Sequence, residues 1–131
     1  MDSKDKKTVY TKDLGKSLNH SLDGLILAVK KESSLKILIG VALLVLMLGA
    51  LFQVSAVDWL FILLMIGCCF GAELFNTAIE SVVDLATQEI HPLAKAAKDT
   101  ASAAELVFLV MSAIMLCIIF IPEVMTLFEM A

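Results

Sequence analysis

The sequence predicts an all-α integral membrane protein, a single domain with an N-terminal amphipathic surface helix followed by three membrane-crossing helices. Three observations carry that prediction. Of 131 residues, 60% are hydrophobic, and the mean hydropathy of +0.91 is far above that of an ordinary soluble domain. Ile37 to Val57 runs for 21 residues without a charge, long enough to cross a hydrocarbon core of about 30 Å. The lysines are confined to the first 36 residues and to segment 85–101, the kind of asymmetry that sorts loops between the two sides of a membrane.

The elements follow in order. Residues 1–10 are charged and without periodicity, and are expected to form a mobile tail. Over 11–34, Leu14, Leu18, Leu22, Leu25, Ile26 and Val29 recur at helical spacing with Lys12, Lys16, Lys30 and Lys31 around them. This is the pattern of an interfacial helix, lying on the bilayer, docked on the protein's own bundle, or both. The first span is 37–57, and because no cleavable signal precedes it, it is expected to serve as its own insertion signal. Asp58 and Trp59 mark a tight turn at the far interface, where tryptophan is at home. Trp59 to Ala72 supplies only 14 uncharged residues, so the second span must run on through Glu73 and Asn76, to about 84. Segment 85–101 is polar with Pro92 as a breaker, and reads as a cytoplasmic loop with short helical pieces. Ser102 and Glu105 fit a capping box opening the third span, 102–122, which Pro122 ends. The lysine distribution puts the N-terminus and segment 85–101 in the cytoplasm and the C-terminus outside.

Several function classes fall away. A formal charge of −4 with no arginine offers nothing to a phosphate backbone, so nucleic-acid binding has no support. Cys68, Cys69 and Cys117 lie in apolar runs and read as small hydrophobes. Gly15, Lys16 and Ser17 mimic the end of a P-loop, but Tyr10 stands where its first glycine belongs and no strand precedes it. His20 and His91 read as isolated polar groups rather than a zinc site.

Glu73, Asn76, Glu80 and Asp84 are the informative residues. Spacings of three, four and four keep all four on one helix face, and acids held below a bilayer surface point inward and mark ion or substrate sites. Acids with lysines at a membrane interface suit Mg²⁺ and a polyphosphate. Glu32, at the end of the surface helix, could be brought with Glu80 to one ion, while the deeper Glu73 could take a proton from a lipid hydroxyl. Three helices alone enclose little, so a polar site is expected to need neighbouring copies of the chain.

Residues 73–84, ELFNTAIESVVD, followed by EIHPLAKAAKD over 89–99, resemble the signature of the small bacterial integral-membrane lipid kinases, the diacylglycerol kinase and undecaprenol kinase family. The resemblance implies a homotrimer with active sites shared between subunits, and a reaction that moves phosphate from ATP to the hydroxyl of diacylglycerol or undecaprenol. It implies Glu73 as general base, Glu32 and Glu80 on Mg²⁺, and Lys98 and Asp99 on ATP. Glu89 and His91 would lie near the adenosine, and Asn76 and Ser102 near the lipid headgroup. Two positions depart from the family pattern: Lys12 stands where an arginine often meets the nucleotide, and Ile90 replaces the aromatic residue that commonly precedes the loop histidine. Two rival readings of the acidic stripe are an ion or proton pathway and a structural subunit of a larger assembly. The first predicts flux without ATP; the second predicts no ATP binding.

Overall fold

The computed structural model describes the backbone of residues 3–129 and the side chains of residues 15–129. Among the described residues all regular structure is α-helix: α1 Ser3–Lys31, α2 Ser33–Phe52, α3 Ala56–Ala86 and α4 Pro92–Glu129. It divides into two units after Ser33.

In the first unit, α1 begins at Ser3, so helix takes in most of the segment expected to be a tail. Leu18, Leu22, Leu25 and Ile26 are exposed along it and Ala28 is buried. The unit closes on Glu32, whose N–H donates to the Ala28 carbonyl at 2.8 Å and whose carboxylate pairs with Lys31 at 3.3 Å.

In the second unit, α2, α3 and α4 are each long and apolar enough to cross a membrane. The 20 residues of α2 measure about 30 Å at 1.5 Å per residue. Its buried residues Leu35, Ala42, Val45 and Gly49 repeat at helical spacing and make one inward stripe. That of α3 is Ile62, Cys69, Glu73 and Thr77, so a single face passes from apolar to polar along the helix.

The α2–α3 turn is built from two caps. Gln53 adopts φ 52, and the bonds Gln53 N–H to Ala50 carbonyl, 3.4 Å, and Val54 N–H to Gly49 carbonyl, 3.2 Å, form a Schellman ending for α2. Ser55 then caps α3 in a reciprocal capping box with Asp58, each side chain accepting the other's backbone N–H at 3.2 Å. The turn predicted at Asp58 is therefore present, but α3 starts at Ala56 and α2 ends at Phe52, a few residues inside the expected 37–57 span. Around this end lies the hydrophobic core of Val45, Val54, Ile62 and Ile119, with Leu46, Trp59, Ile66, Met115 and Leu116 packed on it. Phe52 and Phe120 meet with ring centroids 5.9 Å apart at a 58° tilt, a favourable aromatic geometry.

Three boundaries in the second half of the chain differ from expectation. The segment outside regular helix is 87–91, not 85–101, because Pro92 opens a helix rather than breaking one. His91 Nδ1 accepts the Leu93 N–H at 3.2 Å, which caps α4, and Pro92 occupies the first helical position, where its missing N–H is no loss. Ser102 and Glu105 consequently lie inside α4, and no capping box forms there. Pro122 also lies inside α4, which continues to Glu129; a proline removes one backbone bond, a loss that helices in membranes tolerate when packing and local adjustment compensate.

Candidate active site

At the end of the bundle away from the apolar core, the polar stripe of α3 faces α2 and α4. Glu73 is 97% buried, being 3% exposed, the condition expected of an acid below a bilayer surface. Its Oε1 accepts the Ser34 hydroxyl from the first turn of α2, the Glu105 carboxyl lies within hydrogen-bonding reach of Glu73, and its buried Oε2 has no partner of its own among the described residues. Asn76 donates through Nδ2 to Glu105 Oε2 at 3.3 Å, and its Oδ1 is likewise buried and unpaired. Buried polar atoms are nearly always satisfied, and each exception costs about 1–3 kcal/mol, so two within one helical turn call for a ligand or a further donor.

Glu73 stands in a cavity of about 220 Å³ lined also by Ser34, Leu38, Cys69, Glu105 and Leu109. An apolar hollow of about 190 Å³ continues from it along Leu38, Val41, Cys69 and Leu109 toward Ile62. Polar atoms thus sit at the mouth of a path lined by hydrocarbon.

Further along α3 the stripe emerges: Glu80 is half-buried and Asp84 exposed. Asp84 pairs with Lys98 of α4 at 2.5 Å. That hydrogen bond, outweighing partial desolvation, holds the Lys98 ammonium above its ordinary pKa, so it stays a cation at any physiological pH. Asp84, Thr87, Glu89, His91, Lys95 and Lys98 border one open groove of about 300 Å³. Asp99 pairs with Lys95 and borders a second groove with Ser102 and Glu105.

The sequence-predicted residues fall into groups. Glu73 and Asn76 share the buried polar layer, Glu89, His91 and Lys98 share one groove, and Asp99 and Ser102 share another. Glu80 lies on the Glu73 face of α3. Glu32 belongs to the α1 unit, and the side chain of Lys12 lies outside the described residues. Ser34 and Glu105 were not singled out as site residues by sequence reasoning. Glu105 carried a signal, being the one charge between 100 and 122; the intramembrane-acid argument that selected Glu73 applies to it equally.

The model of the family described as "Prokaryotic diacylglycerol kinase" matches residues 19–120. The chain belongs to that family. The undecaprenol kinase of Bacillus subtilis (strain 168) is 42% identical over 123 residues, covering 94% of this chain and 99% of the relative. The diacylglycerol kinase of Helicobacter pylori (strain ATCC 700392 / 26695) is 38% identical over 99 residues, 76% of this chain and 77% of that one. The diacylglycerol kinase of Pseudomonas aeruginosa is 38% identical over 93 residues, covering 69% and 73%. The signature at 73–84 and 89–99 lies within the family match, and the expected family is borne out. The protein is a membrane-embedded lipid kinase, an all-helical enzyme that transfers a phosphoryl group.

Proposed function

We propose that the protein is an ATP- and Mg²⁺-dependent kinase of the bacterial cytoplasmic membrane that phosphorylates the terminal hydroxyl of undecaprenol, with diacylglycerol as the second candidate. The observation that carries this reading is the free Oε2 of the buried Glu73, set at the mouth of a path lined by apolar side chains. A lipid lying along that path brings its hydroxyl to the carboxylate. Glu73 takes the hydroxyl proton as the lipid oxygen bonds to the terminal phosphorus of ATP and the bond to the departing ADP oxygen breaks. Ser34 holds the other carboxylate oxygen and so aims the free one. Lys98, kept cationic by Asp84, supplies positive charge beside the phosphates, with Asp99, Glu89, His91 and Lys12 completing the nucleotide site. Asn76 and Ser102 meet the lipid headgroup.

Glu32 and Glu80 would hold the Mg²⁺, whose charge neutralises the polyphosphate when bound. Hard carboxylate oxygens suit that ion, which takes one or two of them and fills its shell with phosphate and water. A homotrimer with its N-terminus in the cytoplasm is supported by the lysine asymmetry and by the small share of each span buried within one chain. The preference for the prenol rests on the identity of 42% to the undecaprenol kinase across nearly the whole chain; the relatives called diacylglycerol kinase support the alternative. Incubating the purified protein with γ-labelled ATP and each lipid in mixed micelles, with and without Mg²⁺, tests the reading. Label is expected in the prenol and only with Mg²⁺. Transfer to neither lipid overturns the substrate assignment, and transfer without any divalent ion overturns the metal.

A further inference from the structure

We infer that Glu105 is a positioning residue for the lipid alcohol, acting by fixing the side-chain amide of Asn76; the inference rests on the kinase reading above. Glu105 is the one charge between 100 and 122 in an otherwise uncharged stretch of α4, where an acid is costly and is kept only with a role. Nothing in the roles carried over from the family accounts for it.

Its geometry does. Glu105 Oε2 accepts the Asn76 Nδ2–H at 3.3 Å. As the acceptor of that bond, the carboxyl oxygen selects the NH₂ end of the amide and turns Oδ1 to the opposite side. That Oδ1 is buried and unpaired. Three residues earlier, on the same face of α3, the 97%-buried Glu73 carries the other unpaired acceptor, Oε2. Among the described residues neither of these two buried acceptors, one helical turn apart, has a donor, and a lipid alcohol brings one O–H. Asn76 Oδ1 holds that O–H beside Glu73 Oε2, and the proton passes to Glu73 when the oxygen attacks phosphorus. Glu105 is also a wall shared by the cavity of Glu73 and the groove of Asp99 and Ser102, the junction at which acceptor alcohol and phosphoryl donor must meet.

Steady-state kinetics on the detergent-solubilised full-length protein test this. Glu105→Val removes the acceptor and should raise the KM for lipid about 10-fold, the loss of roughly one hydrogen bond to a charged group, with the KM for MgATP unchanged. Glu105→Gln keeps an acceptor oxygen at the same reach and should recover the lipid KM to within about 3-fold. In an Asn76→Ala background, Glu105→Val should have no further effect on it. A purely structural role predicts instead that both Michaelis constants move, that Glu105→Gln fails with Glu105→Val, or that the two sites add, and any of these overturns the inference. So does a Glu105→Val enzyme with the wild-type lipid KM. A Glu73→Gln enzyme that retains turnover would remove Glu73 as the base and with it the proton transfer on which this inference rests; an inactive Glu73→Gln together with failure of the Glu105 series removes only the role given to Glu105.

Discussion

The two ends of the α2–α4 bundle are built on opposite principles. At the end that includes the α2–α3 turn, the backbone groups freed by one helix ending and another beginning are paired through the Schellman bonds and the Ser55–Asp58 box, and the side chains between the helices are hydrocarbon. Eleven residues along α3 from Ile62, about 16 Å at 1.5 Å per residue, the same inward stripe carries Glu73, and two buried oxygens there lack partners. One end minimises its free energy as a folded structure; the other holds acceptors unpaired at a cost of about 1–3 kcal/mol each. Unpaired, buried and pre-aimed groups are what a site needs when it must take a proton from an incoming alcohol.

Mutations should separate the two ends. The largest effect on the fold belongs to Ile62, only 1% exposed: Ile62→Ala should lower unfolding stability in mixed micelles by about 2–5 kcal/mol, while kcat of the surviving folded enzyme stays near wild type. A large fall in kcat with little loss of stability would erase the division between the ends. Ser34→Ala should do the converse. Losing the donor to Glu73 Oε1 should lower kcat about 10-fold, near the 1.4 kcal/mol expected for a modest hydrogen bond, with the KM for MgATP and the unfolding transition barely moved.

Asp84→Asn sharpens the account on the nucleotide side. Because Asp84 holds the Lys98 pKa above its ordinary value, the cation persists as pH rises through that value, and removing the carboxylate lowers it. Nucleotide affinity, measured by titration on the alkaline side, should then weaken at lower pH in the variant than in the wild type. Coincident pH profiles would show that Lys98 does not contribute charge to the nucleotide. The smallest effect is expected at the turn: Gln53 sits at φ 52, a region that costs a non-glycine residue about 1 kcal/mol, so Gln53→Gly should raise stability by up to about that amount without touching activity.

How far the sequence reveals each end follows from what sets it. The three spans are legible because uncharged length is a property of the chain alone, and Glu73 because 14 uncharged residues after Asp58 cannot cross a bilayer without drawing it inward. The start of α4 is not legible from polarity. Residues 92–101 are polar yet helical, since the His91 cap and a proline at the first helical position permit a helix wherever water or the membrane surface can solvate its outer face. Ser102 and Glu105 match a capping motif by spacing, but a motif of two residues recurs by chance within helices. Glu105 gains its meaning from Asn76, 29 residues away and on another helix, a relation that no local pattern encodes. Ser34 is obscured in the same way, as an ordinary serine near a helix start until Glu73 is placed beside it.

The central claim is that the unpaired oxygen of Glu73 receives the proton of the lipid hydroxyl. Single-turnover phosphoryl transfer by Glu73→Gln, followed alongside its unfolding transition, tests it most directly. The rate is expected to fall by about 10²–10⁴-fold, with the unfolding transition close to that of the wild type because the side-chain shape is kept. A variant that transfers phosphate at close to the wild-type rate would contradict it.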